Sequence, residues 1–95
     1  MILETATILV QPGREDEFVV ALERAKEVLA QSPGWRDIRV HRGIERPSVF
    51  QLAITWETLE DHTEGFRGSD LFGQWRALIG PFFAEPPQVE HWTFL

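Results

Sequence analysis

Three side chains in this sequence are suited to chemistry by type and position: Trp56, His62 and Arg76. An imidazole titrates near neutral pH without assistance, which makes His62 the leading candidate for a general acid or base. The guanidinium of Arg76 carries a permanent charge and a planar fork of donors, suited to an oxyanion or a carboxylate. Trp56 combines a large ring with one N–H that seeks a partner or a ligand once buried. Each also has a plainer reading. His62 can sit in solvent on a helical turn, Arg76 can lay its stem over apolar surface with its head in water, and Trp56 can be pure core.

Other chemistries lack the residues they need. With no cysteine in 95 residues there is no disulfide framework, thiolate metal site or cysteine nucleophile. His41 and His91 are without metal-ligand spacing, and no carboxylate falls at an offset that completes a triad. Both histidines are therefore read as structural or interfacial, and no metal site is expected. Arg67-Gly68-Ser69 precedes a helix and reads as a cap, since no phosphate-loop pattern surrounds it. No serine stands in a nucleophile motif. The formal charge of -6, from nine Lys and Arg against fifteen Asp and Glu, argues against nucleic acid and against acidic membranes as partners. No basic leader and no apolar run of roughly 20 residues is present, so a cytoplasmic location is expected.

The elements that must position these residues follow from hydropathy patterning. Ile2 to Val10 is apolar and β-branched with polar interruptions, and Pro12-Gly13 stops it, which predicts a strand. Glu15, Asp16 and Glu17 then suit a helix amino terminus, and Phe18, Ala21, Leu22, Ala25, Val28 and Leu29 recur at helical spacing up to Ser32-Pro33-Gly34. Trp35 to Arg42 and Val49 to Glu57 alternate as two strands of a hairpin, with Phe50, Leu52, Ile54 and Trp56 on one face. Thr58 and Asp61 resemble a capping box opening a short helical turn through His62, which Gly65 is expected to close. Ser69-Asp70 caps a second helix whose apolar stripe is Leu71, Phe72, Trp75, Leu78, Ile79 and Phe82, and which Pro81 bends or ends. After Pro86-Pro87, Val89 to Leu95 reads as the last strand.

The order β, α, β, β, α, β predicts an α+β, ferredoxin-like βαββαβ chain, a single domain over residues 1–95. Its four-stranded antiparallel sheet has both helices on one face. The other face would carry Thr5, Thr7, Arg39, His41, Gln51, Ala53, Thr55 and either His91 or Trp92. Such a face either meets water or packs on a second copy. Trp35, Trp75 and Trp92 read as packing residues, and together with Phe50, Phe72, Phe82 and Phe83 they supply an aromatic-rich interior suited to a flat apolar guest.

Leu9-Val10-Gln11-Pro12-Gly13, Ser32-Pro33-Gly34-Trp35, the strand ending Trp56-Glu57 and Ser69-Asp70-Leu71-Phe72, in this order and spacing, resemble the antibiotic biosynthesis monooxygenase (ABM) family over nearly the whole chain. The resemblance implies a homodimer in which two sheets face each other, a dimeric α+β barrel, with a substrate pocket between sheet and helices. The family's cofactor-free oxygenases carry a Trp at the end of the third strand, an Asn four residues before it, a Tyr six residues after it and an Arg on the last helix. Here those positions hold Trp56, Leu52, His62 and Arg76. Leu52 removes a hydrogen-bond donor, while His62 keeps a polar aromatic able to move a proton. In the haem-degrading branch the corresponding Asn and helix His are absent, since Thr5, Ala6, Arg76 and Ala77 stand there instead, so no haem and no other cofactor is expected.

The resemblance thus implies a cofactor-independent monooxygenase for a small aromatic or polyketide-like substrate. His62 would be the base or a hydrogen-bond partner and Arg76 would stabilise the anion, with Trp56, Leu52, Phe72 and Trp75 binding the substrate. The alternative is a non-catalytic dimeric module of the same fold that holds a small ligand or serves in a stress response.

Overall fold

The computed structural model describes residues 1–95. In chain order it contains β1 (Ile2–Leu9), α1 (Glu15–Leu29), β2 (Trp35–Arg42), β3 (Val49–Trp56), a π-helical segment (Asp61–Phe66), α2 (Asp70–Ile79), a 3-10 turn (Gly80–Phe82) and β4 (Gln88–Thr93). The sheet order is β2-β3-β1-β4 with every pair antiparallel, the βαββαβ arrangement expected from the pattern.

Strand alternation sets the core. Along β1 the residues Glu4, Ala6 and Ile8 are buried, and along β3 Phe50, Leu52, Ile54 and Trp56 are buried. All of these except Glu4 meet the stripe of α1, Phe18, Leu22, Ala25 and Leu29, together with Trp75 and Ile79 of α2, in one apolar cluster. Three acids in the first turn of α1 complement the positive end of its dipole. Glu15 also accepts from the backbone N–H of Gly13 at 2.8 Å and from the Ser48 hydroxyl at 2.6 Å, tying the helix start to the start of β3. Those bonds hold the Glu15 carboxyl below its usual range, the Ser48 bond contributing most.

Beside β2, Gly34 takes a left-handed φ of 83°. A Cβ there would collide with the Asp61 carboxylate, so only glycine allows the turn before β2 to lie against the π-helical segment. Asp61 and Thr58 form the expected reciprocal cap, each backbone N–H donating to the other's side chain at 3.2 Å. The segment does not close at Gly65; it runs on to Phe66 as a π-turn, with the Arg67 N–H donating to the His62 carbonyl at 3.1 Å. Ser69 stands at the start of α2, but its hydroxyl donates back to the Phe66 carbonyl at 2.7 Å instead of capping the helix.

Pro81 ends α2, because its ring and missing N–H cannot continue the α-helical ladder, and the chain tightens into the 3-10 turn. The last strand stops at Thr93, two residues before the expected end. On the uncovered face Thr5, Thr7, Ala53 and Thr55 are half-buried while Arg39, His41 and Gln51 are exposed. Trp92, not His91, belongs to that face, where its indole N–H donates to the Thr5 hydroxyl at 2.8 Å. His91 lies directly opposite Glu4 across the β1–β4 pair, on the helix side.

Candidate active site

A cleft of about 440 Å³ opens between the sheet and α2. The sheet contributes Glu4, Ala6 and Ile8 from β1, Leu52 from β3 and Val89 from β4. The helix contributes Phe72, Trp75, Arg76 and Ile79, and Arg67, Phe83 and Pro87 complete the lining. Most of this surface is apolar, and three charged side chains interrupt it: Glu4, Arg67 and Arg76. An apolar slot with a few convergent polar groups suits a small molecule with a flat body and an oxygen-bearing edge.

Glu4 is the unusual member. It sits on the core side of β1 between Ile2 and Ala6, almost fully buried. The Trp56 indole N–H donates to its Oε1 at 2.8 Å, and His62 Nε2 lies 3.4 Å from the same oxygen. Burial pushes the Glu4 pKa up; the bond from Trp56 and the positive charge of Arg67 oppose that rise without cancelling it. A carboxyl with its pKa moved toward neutrality can both take and return a proton, the property a general base requires.

Behind Glu4 stands His62, only 3% exposed. The π-turn places it there with Phe66, and both rings face Trp56, the imidazole stacked on the indole with centroids 5.4 Å apart. Single π-turns of this kind recur at functional sites. Burial foremost, then the charge of Arg67 and the nearness of His91, lower the His62 pKa to about 4. The imidazole is therefore neutral at pH 7. Its Nδ1 lies 2.8 Å from Nε2 of His91, whose own pKa is lowered by burial and by Arg67. One of those two nitrogens carries the shared proton.

Of the residues singled out from the sequence, Leu52, Phe72, Trp75 and Arg76 line the cleft. Trp56 and His62 do not; both lie behind Glu4, the indole fully buried. His62 is also not a surface residue of its turn. The guanidinium of Arg76 lies 5.8 Å from the Phe72 ring centroid, exposed at the cleft. Glu4 and His62 meet across the sheet, a pairing that no spacing in the sequence suggested. His91, read as structural or interfacial, instead bonds to His62.

Glu4 and Arg67 were missed. For Glu4 a signal existed, because the alternation that puts Ala6 and Ile8 in the core puts this acid there too. An acid at a core position is rare enough to stand out. Arg67 has no such local signal.

Comparison with known proteins agrees with this architecture. The sequence profile of the antibiotic biosynthesis monooxygenase family matches residues 1–78. A provisionally assigned antibiotic biosynthesis monooxygenase from Bordetella bronchiseptica is 42% identical with a TM-score of 0.96, covering 99% of this chain and 96% of that one. An uncharacterized protein of Bacillus subtilis, YczJ, is 37% identical over 91 residues, 96% of each chain. At the level of fold alone, SnoaB, a cofactor-independent oxygenase from Streptomyces nogalater, superposes with a TM-score of 0.83 at 13% identity, covering 98% of this chain and 91% of that one.

Proposed function

The chain belongs to the antibiotic biosynthesis monooxygenase family, and from that premise we infer that it is a cofactor-independent monooxygenase. Its substrate is a small aromatic or polyketide-like carbon acid held in the cleft between the sheet and α2. The observation that carries this reading is the buried Glu4 carboxyl, its pKa raised, facing the same cleft as the guanidinium groups of Arg67 and Arg76.

Glu4 takes over the base role that the sequence assigned to His62. It removes a proton from an activated methylene or phenol, and the electron pair left behind delocalises onto an oxygen held by Arg67 or Arg76. An electron-rich anion of this kind passes an electron to dioxygen and combines with the product. The resulting peroxide takes the proton back from Glu4 and collapses to a ketone and water, so that a methylene and one dioxygen become a carbonyl and one water. Leu52, Phe72 and Trp75 hold the flat body of the substrate. Trp56 acts behind Glu4, its indole N–H holding Oε1 and lowering the proton affinity that burial raises, and His62 stands beside the same oxygen.

The reading includes a homodimer formed through the uncovered sheet face. Its support is the row of small, uncharged and half-buried side chains Thr5, Thr7, Ala53 and Thr55 along the two central strands.

The test is oxygen uptake with anthrone and simple phenols. Wild-type protein is expected to consume oxygen and form the quinone, and Glu4→Gln to lower the rate by about a hundredfold or more. Absence of uptake by the wild type across these substrates leaves only a ligand-holding module.

A further inference from the structure

Behind the cleft the polar groups form a line from inside to outside. Glu4 touches the cleft, His62 is sealed in the core, and His91 is exposed on the edge strand β4. The separations are 3.4 Å from Glu4 Oε1 to His62 Nε2 and 2.8 Å from His62 Nδ1 to His91 Nε2. Neither histidine lines the cleft, so neither touches a molecule bound in it. Stacking of His62 on Trp56 and packing against Phe66 leave the imidazole with polar neighbours only at its two nitrogens. A ring held in this way can take a proton in at one nitrogen while giving one out at the other.

We propose that Glu4, His62 and His91 form a proton path from the cleft to solvent, through which the site trades a carbon-bound proton of a bound carbon acid for one from water without dioxygen. The carbon-acid part rests on the reading of Glu4 as the base; the path itself does not. A flat molecule in the cleft covers Glu4 on that side, and the histidines supply a route that remains open.

The steps balance. The C–H bond breaks, its proton goes to the Glu4 carboxylate, and the electron pair stays on the substrate as an enolate facing Arg67 and Arg76. Glu4 passes the proton to His62 Nε2 while His62 Nδ1 gives its own to His91 Nε2, and His91 Nδ1 releases one to water. A proton returning along the same line restores each tautomer and reprotonates the carbon, with nothing oxidised. Closing the 3.4 Å gap to hydrogen-bond distance takes a shift of about half an ångström.

The charges around the path suit transfer over storage. Arg67 opposes protonation of both imidazoles, burial does the same, and Glu4 is the only acid lining the cleft or bonded to the path. Arg76 adds a second positive charge at the cleft, opposite no further acid.

Two measurements on the full chain test this. In protein carrying 15N-labelled histidine, NMR reads how fast the His62 ring N–H exchanges with water. His91→Phe and His91→Gln are both expected to slow it by about tenfold or more, and equal rates in wild type and both variants overturn the path whatever the substrate. In deuterium oxide without oxygen, wild type is expected to exchange the methylene protons of anthrone faster than buffer alone. His91→Phe should lose about tenfold of that rate and regain it with added imidazole. Exchange equally fast in His91→Phe and indifferent to imidazole overturns the path and leaves Glu4 as base. No exchange by wild type overturns the carbon-acid chemistry, and with it the reading of Glu4.

Discussion

The two ends of the β1–β3 pair are buried equally and built differently. At one end Ile8 pairs with Phe50, and Phe18 of α1 packs on Phe50 with ring centroids 4.9 Å apart, so that the buried contacts are carbon on carbon, with the Arg42 guanidinium 5.3 Å from the Phe50 ring centroid. At the other end the same two strands present Glu4 and Trp56, with His62 laid on the indole. Phe18 is wholly buried and His62 nearly so, yet their energetic consequences are opposite in kind. Each large apolar side chain at the first end contributes about 1.5–3 kcal/mol by leaving water. At the second, two titratable groups are desolvated and recover only part of that loss through the bonds to Trp56 and His91. Stability is made at the first end, and reactivity is kept at the second.

This contrast can be broken by experiment, and the largest effect is expected at the apolar end. Phe18→Ala should lower the unfolding free energy by about 3–5 kcal/mol, by lost transfer and the cavity left behind. Urea unfolding at pH 7 and pH 5 should return the same loss, because Glu15, the shifted acid near that end, has its pKa lowered by the Ser48 bond and is ionised at both. A loss that changes with pH would show that the two ends are coupled.

The polar end should instead reveal itself through pH. The unfolded chain protonates the His62 imidazole below about pH 6.5, whereas the folded chain resists until about pH 4. Between those values the unfolded state binds more protons, so stability rises with pH and is lost as pH falls through the window. The loss reaches up to about 3 kcal/mol at its lower end. Glu4 works the other way, its raised pKa favouring the folded state as acid protonates it, so the useful quantity is the difference between wild type and His62→Phe. That difference, from urea midpoints at pH 7 and pH 4.5, should shrink as the pH is lowered; a constant difference counts against a buried neutral imidazole.

The smallest change in stability is expected for Glu4→Gln. The amide keeps the volume and an oxygen to accept from Trp56 while removing a carboxyl that is costly to bury. Its unfolding free energy at pH 7 should stay within about 1 kcal/mol of wild type. A large loss would mean that Glu4 holds the fold together, and would shift the comparison from reactivity toward structure.

Much of the fold was legible in the residues. Alternation in Val49 to Trp56, the stripe from Phe18 to Leu29 and the breaks at Pro12-Gly13 and Pro86-Pro87 are local signals, and the elements appear where they point. The misreadings were local conflicts. Gly65 reads as a stop, but the wider π-turn carries the backbone past it to Phe66. His91 and Trp92 are neighbours that compete for one face, and only the register of β4 on β1, with His91 opposite Glu4, settles which is inside.

Of the site, the cleft wall of Leu52, Phe72, Trp75 and Arg76 comes from residues marked in advance, while its acid does not. His62 offers only a histidine in a turn until the π-helical segment folds it onto Trp56.

By itself the sequence determined the order of the elements and which side of each strand and helix faces inward, because those depend on spacings of a few residues along one backbone. Only the tertiary structure decided that a carboxyl from β1, an indole from β3, an imidazole from the π-turn and a second imidazole from β4 share one spot. Glu4 and Trp56 are 52 residues apart in the chain, and no local rule links them. What joins them is strand register, and the proton affinities that follow are properties of the assembled, water-free interior rather than of any single residue type.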